Sequence, residues 1–379
     1  MNIPTIKDIK NLKGKRVVLR LDFNVPIKNG KIVETMRIDR AIPTIQYLQK
    51  KKARIVIFSH IGKDASSSLQ PVVRYLNKTM KVGFVPDFRT EEARAMAAGL
   101  SEGGILLCEN LRLDERETEN DPEFSKYLAS FGEIYVNDAF AVSHRAHASV
   151  VGITKYLPTY AGFLIADEVK HLSLALTPKH PFLFVIGGAK FDTKMPLMKK
   201  FMKHADQVFV GGILANDFFH DEGLEVGKSF VDKYDFKLTP LLKKGKIILP
   251  TDVLVKNGEG KPVVKNIHNL SKGDSIVDVG PQTIKDLTVL LKKTKLVVWN
   301  GPLGYYEEGF DKGTIALLKA IAESRATSII GGGDTAVIVE KLNLKGITFV
   351  STGGGATLDY LVDGKLPGID AILKNKKRK

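Results

Sequence analysis

Residues 181–190 read Pro181-Phe182-Leu183-Phe184-Val185-Ile186-Gly187-Gly188-Ala189-Lys190. An unbroken apolar run, with no polar residue at alternate positions, reads as a strand covered on both faces. The glycine pair that ends it lets the backbone turn tightly and approach a ligand. Helical spacing follows over 193–205. Strand, glycine turn and helix make one step of a parallel α/β sheet.

The same step recurs in both directions. Apolar runs at 16–21, 54–59, 104–107 and 133–136 precede it, and runs at 207–210, 246–249, 296–299, 327–330 and 347–350 follow. Helical patterns fall at 38–51, 124–131 and 313–322. The alternation predicts α/β architecture with doubly wound parallel sheets. Pro158 and Gly162 introduce a helically spaced stretch over 163–176, read as a connector between two halves. A chain of 379 residues has room for two or three domains. The predicted division is an N-terminal domain over 1–162, an interdomain helix over 163–177, a C-terminal domain over 178–360 and a terminal segment over 361–379.

Composition narrows the function. A single cysteine, Cys108, excludes an intramolecular disulfide framework and a cysteine zinc site, and its apolar surroundings read as core. No apolar run reaches the roughly 18 residues that span a bilayer. Residues 1–15 are polar and mixed, so no secretory signal is expected. Lys+Arg 57 against Asp+Glu 42 gives a net charge of +15. Nucleic acid, small anionic substrates and solubility are three readings of that charge, and charge alone does not choose among them. The basic tail at 374–379 reads as a solvated terminus or a targeting or nucleic-acid element.

Chemistry gathers where the strands end, which is where open parallel sheets bind ligands. In the first half the runs lead into Arg20, Asp22 and Asn24, then His60, Gly62 and Lys63, then Glu109, Asn110 and Arg112, then Asn137, Asp138, His144, Arg145 and His147. Arg37 opens the next helix and can join them. Basic and amide groups at one sheet edge suit a small, multiply charged anion, because Arg bonds carboxylate or phosphate through two nitrogens.

The second half repeats the pattern with glycine: Gly187-Gly188, Gly211-Gly212, Gly301 with Gly304, Gly331-Gly332-Gly333-Asp334-Thr335 and Gly353-Gly354-Gly355. Such turns followed by helix starts present backbone N–H groups to phosphate oxygens. Asp334 stands where a carboxylate can hold Mg²⁺ between phosphates. Lys190 and Lys194 are four apart and suit phosphate oxygens if a helix begins near Phe191. Other motifs fail. Residues 222–229 end like a Walker A loop but begin with Glu222 in place of glycine. His144 and His147 lack a nearby third ligand. Neither a dinucleotide fingerprint nor a nucleophile elbow is present.

In chain order, RLDFNVP (20–26), TMRIDRAIPTI (35–45), SHIGK (59–63), LCENLR (107–112), NDAFAVSHRAHAS (137–149), GGAKFDTK (187–194), DVGPQT (278–283), WNGPLGYYE (299–307), GGGDTA (331–336) and STGGGAT (351–357) resemble the phosphoglycerate kinase family across nearly the whole chain. The resemblance implies two Rossmann-like domains joined by a hinge helix, with a cleft between them and the terminal segment folding back toward the N-terminal domain. It implies reversible phosphoryl transfer between ATP and 3-phosphoglycerate, ATP-forming in glycolysis, in a cytoplasmic and monomeric enzyme that uses Mg²⁺. By similarity, Asp22, Phe23, Asn24, Arg37, His60, Ile61, Gly62, Lys63, Arg112 and Arg145 serve phosphoglycerate. Lys190, Lys194, Gly211, Gly212, Asn300, Glu307, Gly332, Gly333, Asp334 and Thr335 serve the nucleotide, with Glu307 on the ribose and Asp334 toward the metal. Arg37 and Lys194 are expected to converge on the transferring phosphoryl, assisted by the helix start at Gly354. Lys63 stands where the family usually has Arg, and the stretch 64–70 is shorter than is common. A basic nucleic-acid-binding protein on the same fold is the alternative, motivated by the +15 charge.

Overall fold

The computed structural model describes residues 3–232 and 237–376. Lys377, Arg378 and Lys379 of the basic tail lie outside the described residues. The chain divides into two compact units, Met1–Lys170 with Asp363–Lys379, and His171–Val362. The division falls inside the helix Phe163–Leu176.

The first unit holds a six-stranded parallel sheet in the order Gly83–Val85, Ile105–Cys108, Arg54–Phe58, Arg16–Arg20, Ile134–Asn137, Thr159–Ala161. Alternate strand residues feed two cores. Val17, Leu19, Ile55, Ile57, Leu107 and Val136 pack on one face. Val18, Val56, Phe58, Leu106, Cys108 and Tyr135 pack on the other. This is why the strands read as unbroken apolar runs: each side chain is buried whichever way it points. Cys108 is fully buried, and burial pushes its thiol up, which fits core packing.

The second unit has its own six-stranded parallel sheet, ordered Ile247–Ile248, Gln207–Val210, Phe182–Ile186, Leu296–Asn300, Thr327–Gly331, Phe349–Val350. Numbered by sequence this is 3-2-1-4-5-6, the doubly wound order whose switch point lies between strands one and four. A separate antiparallel sheet of Pro262–Asn266, Asp252–Lys256 and Ser275–Val279 accompanies it. Of that sheet, the edge strand Pro262–Asn266 carried no apolar-run signal because Pro262, Val263 and Val264 are exposed.

The expected helices form with ends shifted by a few residues: Met36–Lys50, Pro122–Ala129, Phe191–His204 and Lys312–Glu323. Phe163–Leu176 begins where Thr44 Oγ1 accepts the Phe163 N–H at 3.1 Å and Asp138 Oδ1 accepts the Ile165 N–H at 3.1 Å. These are the free donors that a helix start must place. Gly162 is required there, since a Cβ would lie 2.2 Å from the Asp138 carboxyl carbon. At the other end of unit one, Asn375 of the helix Pro367–Lys376 bonds Thr159 N–H, Thr154 C=O and Leu157 C=O at 2.8–3.1 Å.

Candidate active site

In the first unit the switch point lies between Arg16–Arg20 and Ile134–Asn137. The segment after Arg20 places Asp22, 5% exposed, where Arg37 Nη1 donates to Oδ2 at 2.7 Å and His60 Nδ1 lies 3.8 Å from Oδ1. Asn24 Oδ1 accepts the Gly62 N–H at 2.9 Å and so ties the first strand end to the second. Phe23 and Ile61 are buried, and they contribute backbone rather than side chain to this edge. Lys63 and Arg145 are exposed on it.

The edge is strongly cationic. Burial pushes His60 down to about 2, with Arg20, Arg112 and Arg145 adding to the effect, so the ring is neutral. His147 is pushed down to about 4, first by burial and then by Arg112, Arg20 and Arg145. Arg112 Nε and Nη1 are buried without a protein acceptor. Buried donors of a charged group need a partner, and an anionic ligand would supply one. Glu109 and Asn110, by contrast, are spent on the fold. Glu109 accepts from the Leu69 and Asn110 N–H groups, both at 2.7 Å. Asn110 donates to Ile61, Asp64 and Ser67 carbonyls and accepts from the Ile61 and Arg112 N–H groups.

The neutral His60 has a measurable consequence. The unfolded ring titrates near 6.5 and the folded ring near 2, so between these values the unfolded chain holds the extra proton. The His60 contribution is therefore complete above pH 6.5 and is lost as pH falls, by about 1.4 kcal/mol per pH unit. His60→Asn is expected to have the shallower acid dependence, by about 2–3 kcal/mol between pH 6.5 and 4.5. Urea unfolding of both proteins across that range measures it, and parallel curves would reject a neutral His60.

In the second unit a cavity of about 640 Å³ opens at the switch point between Phe182–Ile186 and Leu296–Asn300. Its floor is backbone: Gly187 N–H donates to Asn300 C=O at 2.9 Å and Gly188 N–H to Pro302 C=O at 2.7 Å. Gly212, with φ 63° and ψ −154°, closes against both segments. Lys190, Lys194, Gly212, Asn300, Glu307, Gly332, Gly333, Asp334 and Gly354 all line the cavity. Gly211 and Thr335 do not; Gly211 backs onto Leu303 and Thr335 is buried. Lys194, in the first turn of Phe191–His204, donates to the Gly187 carbonyl. Burial pushes its ammonium down to about 8, and Asp334 opposes that shift.

Sequence reasoning missed Asn216, Val277, Asp278, Tyr305 and Leu358 of the cavity wall. Val277 and Asp278 come from the unforeseen antiparallel sheet. Asp278 accepts the Val279 and Gly313 N–H groups at 2.9 and 2.8 Å, and burial pushes it up to about 6. The DVGPQT stretch was the available signal for it. Among the described residues no group of three or more His, Cys, Asp and Glu could hold a metal. The 222–229 stretch is not a phosphate loop either: Gly227 packs against the Asp274 and Ser271 carbonyls, away from the cavity.

Comparison with known proteins agrees with this geometry. The sequence pattern of the family described as "Phosphoglycerate kinase" matches residues 6–365. A "Phosphoglycerate kinase" of Wolbachia sp. subsp. Drosophila simulans (strain wRi) is 41% identical over 396 residues, covering 99% of each chain. The structure of phosphoglycerate kinase from Coxiella burnetii superposes with TM-score 0.86 at 38% identity, covering 98% of this chain and 99% of that one. The enzyme from Pyrococcus horikoshii OT3 superposes with TM-score 0.88 at 31% identity over 100% of both chains. The chain belongs to the phosphoglycerate kinase family.

Proposed function

We propose that the chain transfers a phosphoryl group between ATP and 3-phosphoglycerate, giving ADP and 1,3-bisphosphoglycerate, in the ATP-forming direction during glycolysis. The observation that carries this reading is the pairing of two anion sites on one chain. One is a cationic sheet edge with unsatisfied Arg112 donors; the other is a glycine-floored cavity with Lys194 at its base. Neither the family nor this geometry favours the nucleic-acid reading of the +15 charge.

The attacking group in the ATP-consuming direction is a carboxylate, ionised at neutral pH, so no general base is needed. Catalysis is then positioning and charge neutralisation. Asp22 orients Arg37, whose remaining N–H groups face the transferring phosphoryl. Lys194 and the start of the helix Gly355–Asp363 serve the same group from the nucleotide side. Asn24, His60, Lys63, Arg112 and Arg145 hold the phosphoglycerate; Glu307 takes the ribose. Asp334 is an exposed carboxylate on the cavity wall, and its charge acts on Lys194. That donor set fits Mg²⁺ held mainly by phosphate oxygens and water. The bound ion would neutralise phosphate charge.

The reading also carries a cytoplasmic, monomeric enzyme. Among the described residues no helix is long and apolar enough to cross a membrane. Formation of 1,3-bisphosphoglycerate from ATP and 3-phosphoglycerate with Mg²⁺, followed by a coupled assay, tests the activity. Folded protein with no product would overturn it. Substrates held by separate units must meet, so the connector helix is read as a hinge. Small-angle scattering is expected to show a smaller radius of gyration with both ligands than with either; no change would remove the hinge.

A further inference from the structure

Beneath the cationic edge of the first unit lies a carboxylate that this mechanism does not use. Glu117 is 1% exposed and sits in the short helix Arg116–Glu119. Its Oε2 accepts the Ser149 N–H at 2.9 Å and its Oε1 the Ser149 hydroxyl at 2.6 Å. The same hydroxyl oxygen accepts Arg20 Nε at 2.9 Å. The Glu117 carbonyl accepts the Ala148 N–H at 2.8 Å, and His147 Nδ1 lies 3.8 Å from Oε1. The Glu117 carboxylate thus holds the Ser149 backbone and, through the Ser149 hydroxyl, a guanidinium, while its main-chain carbonyl holds Ala148.

The charge balance makes this more than a structural tie. Arg20 is also 1% exposed. Burial pushes the Glu117 carboxyl up, and Arg20, the Ser149 hydrogen bonds and Arg112 oppose that shift by favouring its charged form. Of the other buried carboxylates at this edge, Asp22 is already bonded to Arg37 and Asp138 accepts the Ile165 N–H at the start of the connector helix. Without a substrate anion, Glu117 is the group left to offset Arg20 and Arg112. A buried cation deprived of its counter-charge is strongly destabilising.

We infer that Glu117 is the internal counter-ion of this edge, a positioning residue whose charge stabilises the empty site and moderates its pull on the substrate anion. The inference rests on reading the edge as the phosphoglycerate site. It has a sign that a packing role lacks: the charge that steadies Arg20 also repels the incoming ligand. Removing it should weaken the ligand-free fold and tighten ligand binding together.

Glu117→Gln is close to isosteric; its amide can accept the Ser149 N–H and donate to the Ser149 hydroxyl oxygen. Thermal unfolding with and without 3-phosphoglycerate, and calorimetric titration with 3-phosphoglycerate and separately with ADP, test the inference on the full chain. Glu117→Gln is expected to melt lower when ligand-free, yet to bind 3-phosphoglycerate about five- to tenfold more tightly, as expected for one charge removed at partly screened range. Its KM for 3-phosphoglycerate should fall and its ADP affinity stay unchanged. Unchanged or weaker 3-phosphoglycerate binding would overturn the inference, since a purely structural role lowers stability and affinity together. Glu117→Asp retains the charge and is expected to bind within about twofold of wild type. A fivefold change there would overturn the charge assignment even if Glu117→Gln did not fold. Failure of 3-phosphoglycerate to stabilise the wild-type protein would instead remove the reading of the edge on which the inference rests.

Discussion

Arg37→Ala is expected to lower kcat by about 10²–10³-fold, the usual cost of removing one preorganised donor from a charge-stabilising site. Arg37 is half-buried at the first turn of its helix and fixed through Nη1 to a carboxylate that is itself almost fully buried. Asp22 therefore holds the guanidinium, and on the proposed mechanism the side chain needs no reorganisation when phosphoryl charge develops. Arg37→Lys keeps a charge but loses the planar fork, so it should recover only a fraction of the rate. KM for 3-phosphoglycerate should rise less than kcat falls, because the contact strengthens in the transition state. Steady-state kinetics in the ATP-consuming direction separate the two, and kcat within tenfold of wild type would end the catalytic assignment. Unfolding in urea accompanies the kinetics, since Asp22 loses its partner in the same variant.

Gly212→Ala is expected to weaken nucleotide binding severely while leaving phosphoglycerate binding intact. At φ 63° and ψ −154°, Gly212 occupies backbone space essentially reserved for glycine. A Cβ would lie 2.6 Å from Gly188 N, 3.0 Å from Pro302 O and 3.1 Å from Gly188 O. All three neighbours are backbone atoms of the cavity floor, so no side chain can swing away to relieve the collision. The backbone conformation alone costs about 1–3 kcal/mol, and the floor must also shift. Calorimetry should show ADP affinity reduced by about a hundredfold or more, since 1.4 kcal/mol is a factor of ten. Binding within a few-fold of wild type would mean that the floor yields, and that its geometry does not set nucleotide affinity.

These residues differ in how far they could be read beforehand. Strands such as Arg16–Arg20 and Phe182–Ile186 were legible because burial on both faces writes an unbroken apolar run. Gly83–Val85 and Thr159–Ala161 were not, being three-residue edge strands with a partly exposed member. The cations at strand ends were legible because parallel topology delivers every strand end to one edge. What each does there was less so. Glu109 and Asn110 share that edge with Arg112, yet local geometry turns the first two into supports and leaves Arg112 with idle donors. Glu117 carried no motif, and Ser149 closes the NDAFAVSHRAHAS stretch without a role legible there. Their role depends on contacts with Arg20 from more than 90 positions away, which no local spacing encodes.

The first unit is assembled from both ends of the chain. On a ribosome this imposes an order of events. The strands of that unit emerge first, but Gly368 and Asn375, which bond Ser143 and the 154–159 segment, arrive last. About 190 residues intervene, so at roughly 5–20 residues per second the early unit waits about 10–40 s for its closing helix. The second unit, continuous in sequence, can finish its core meanwhile. Nascent chains halted before Pro367 should accordingly expose the first unit to protease, although most of it has long been made.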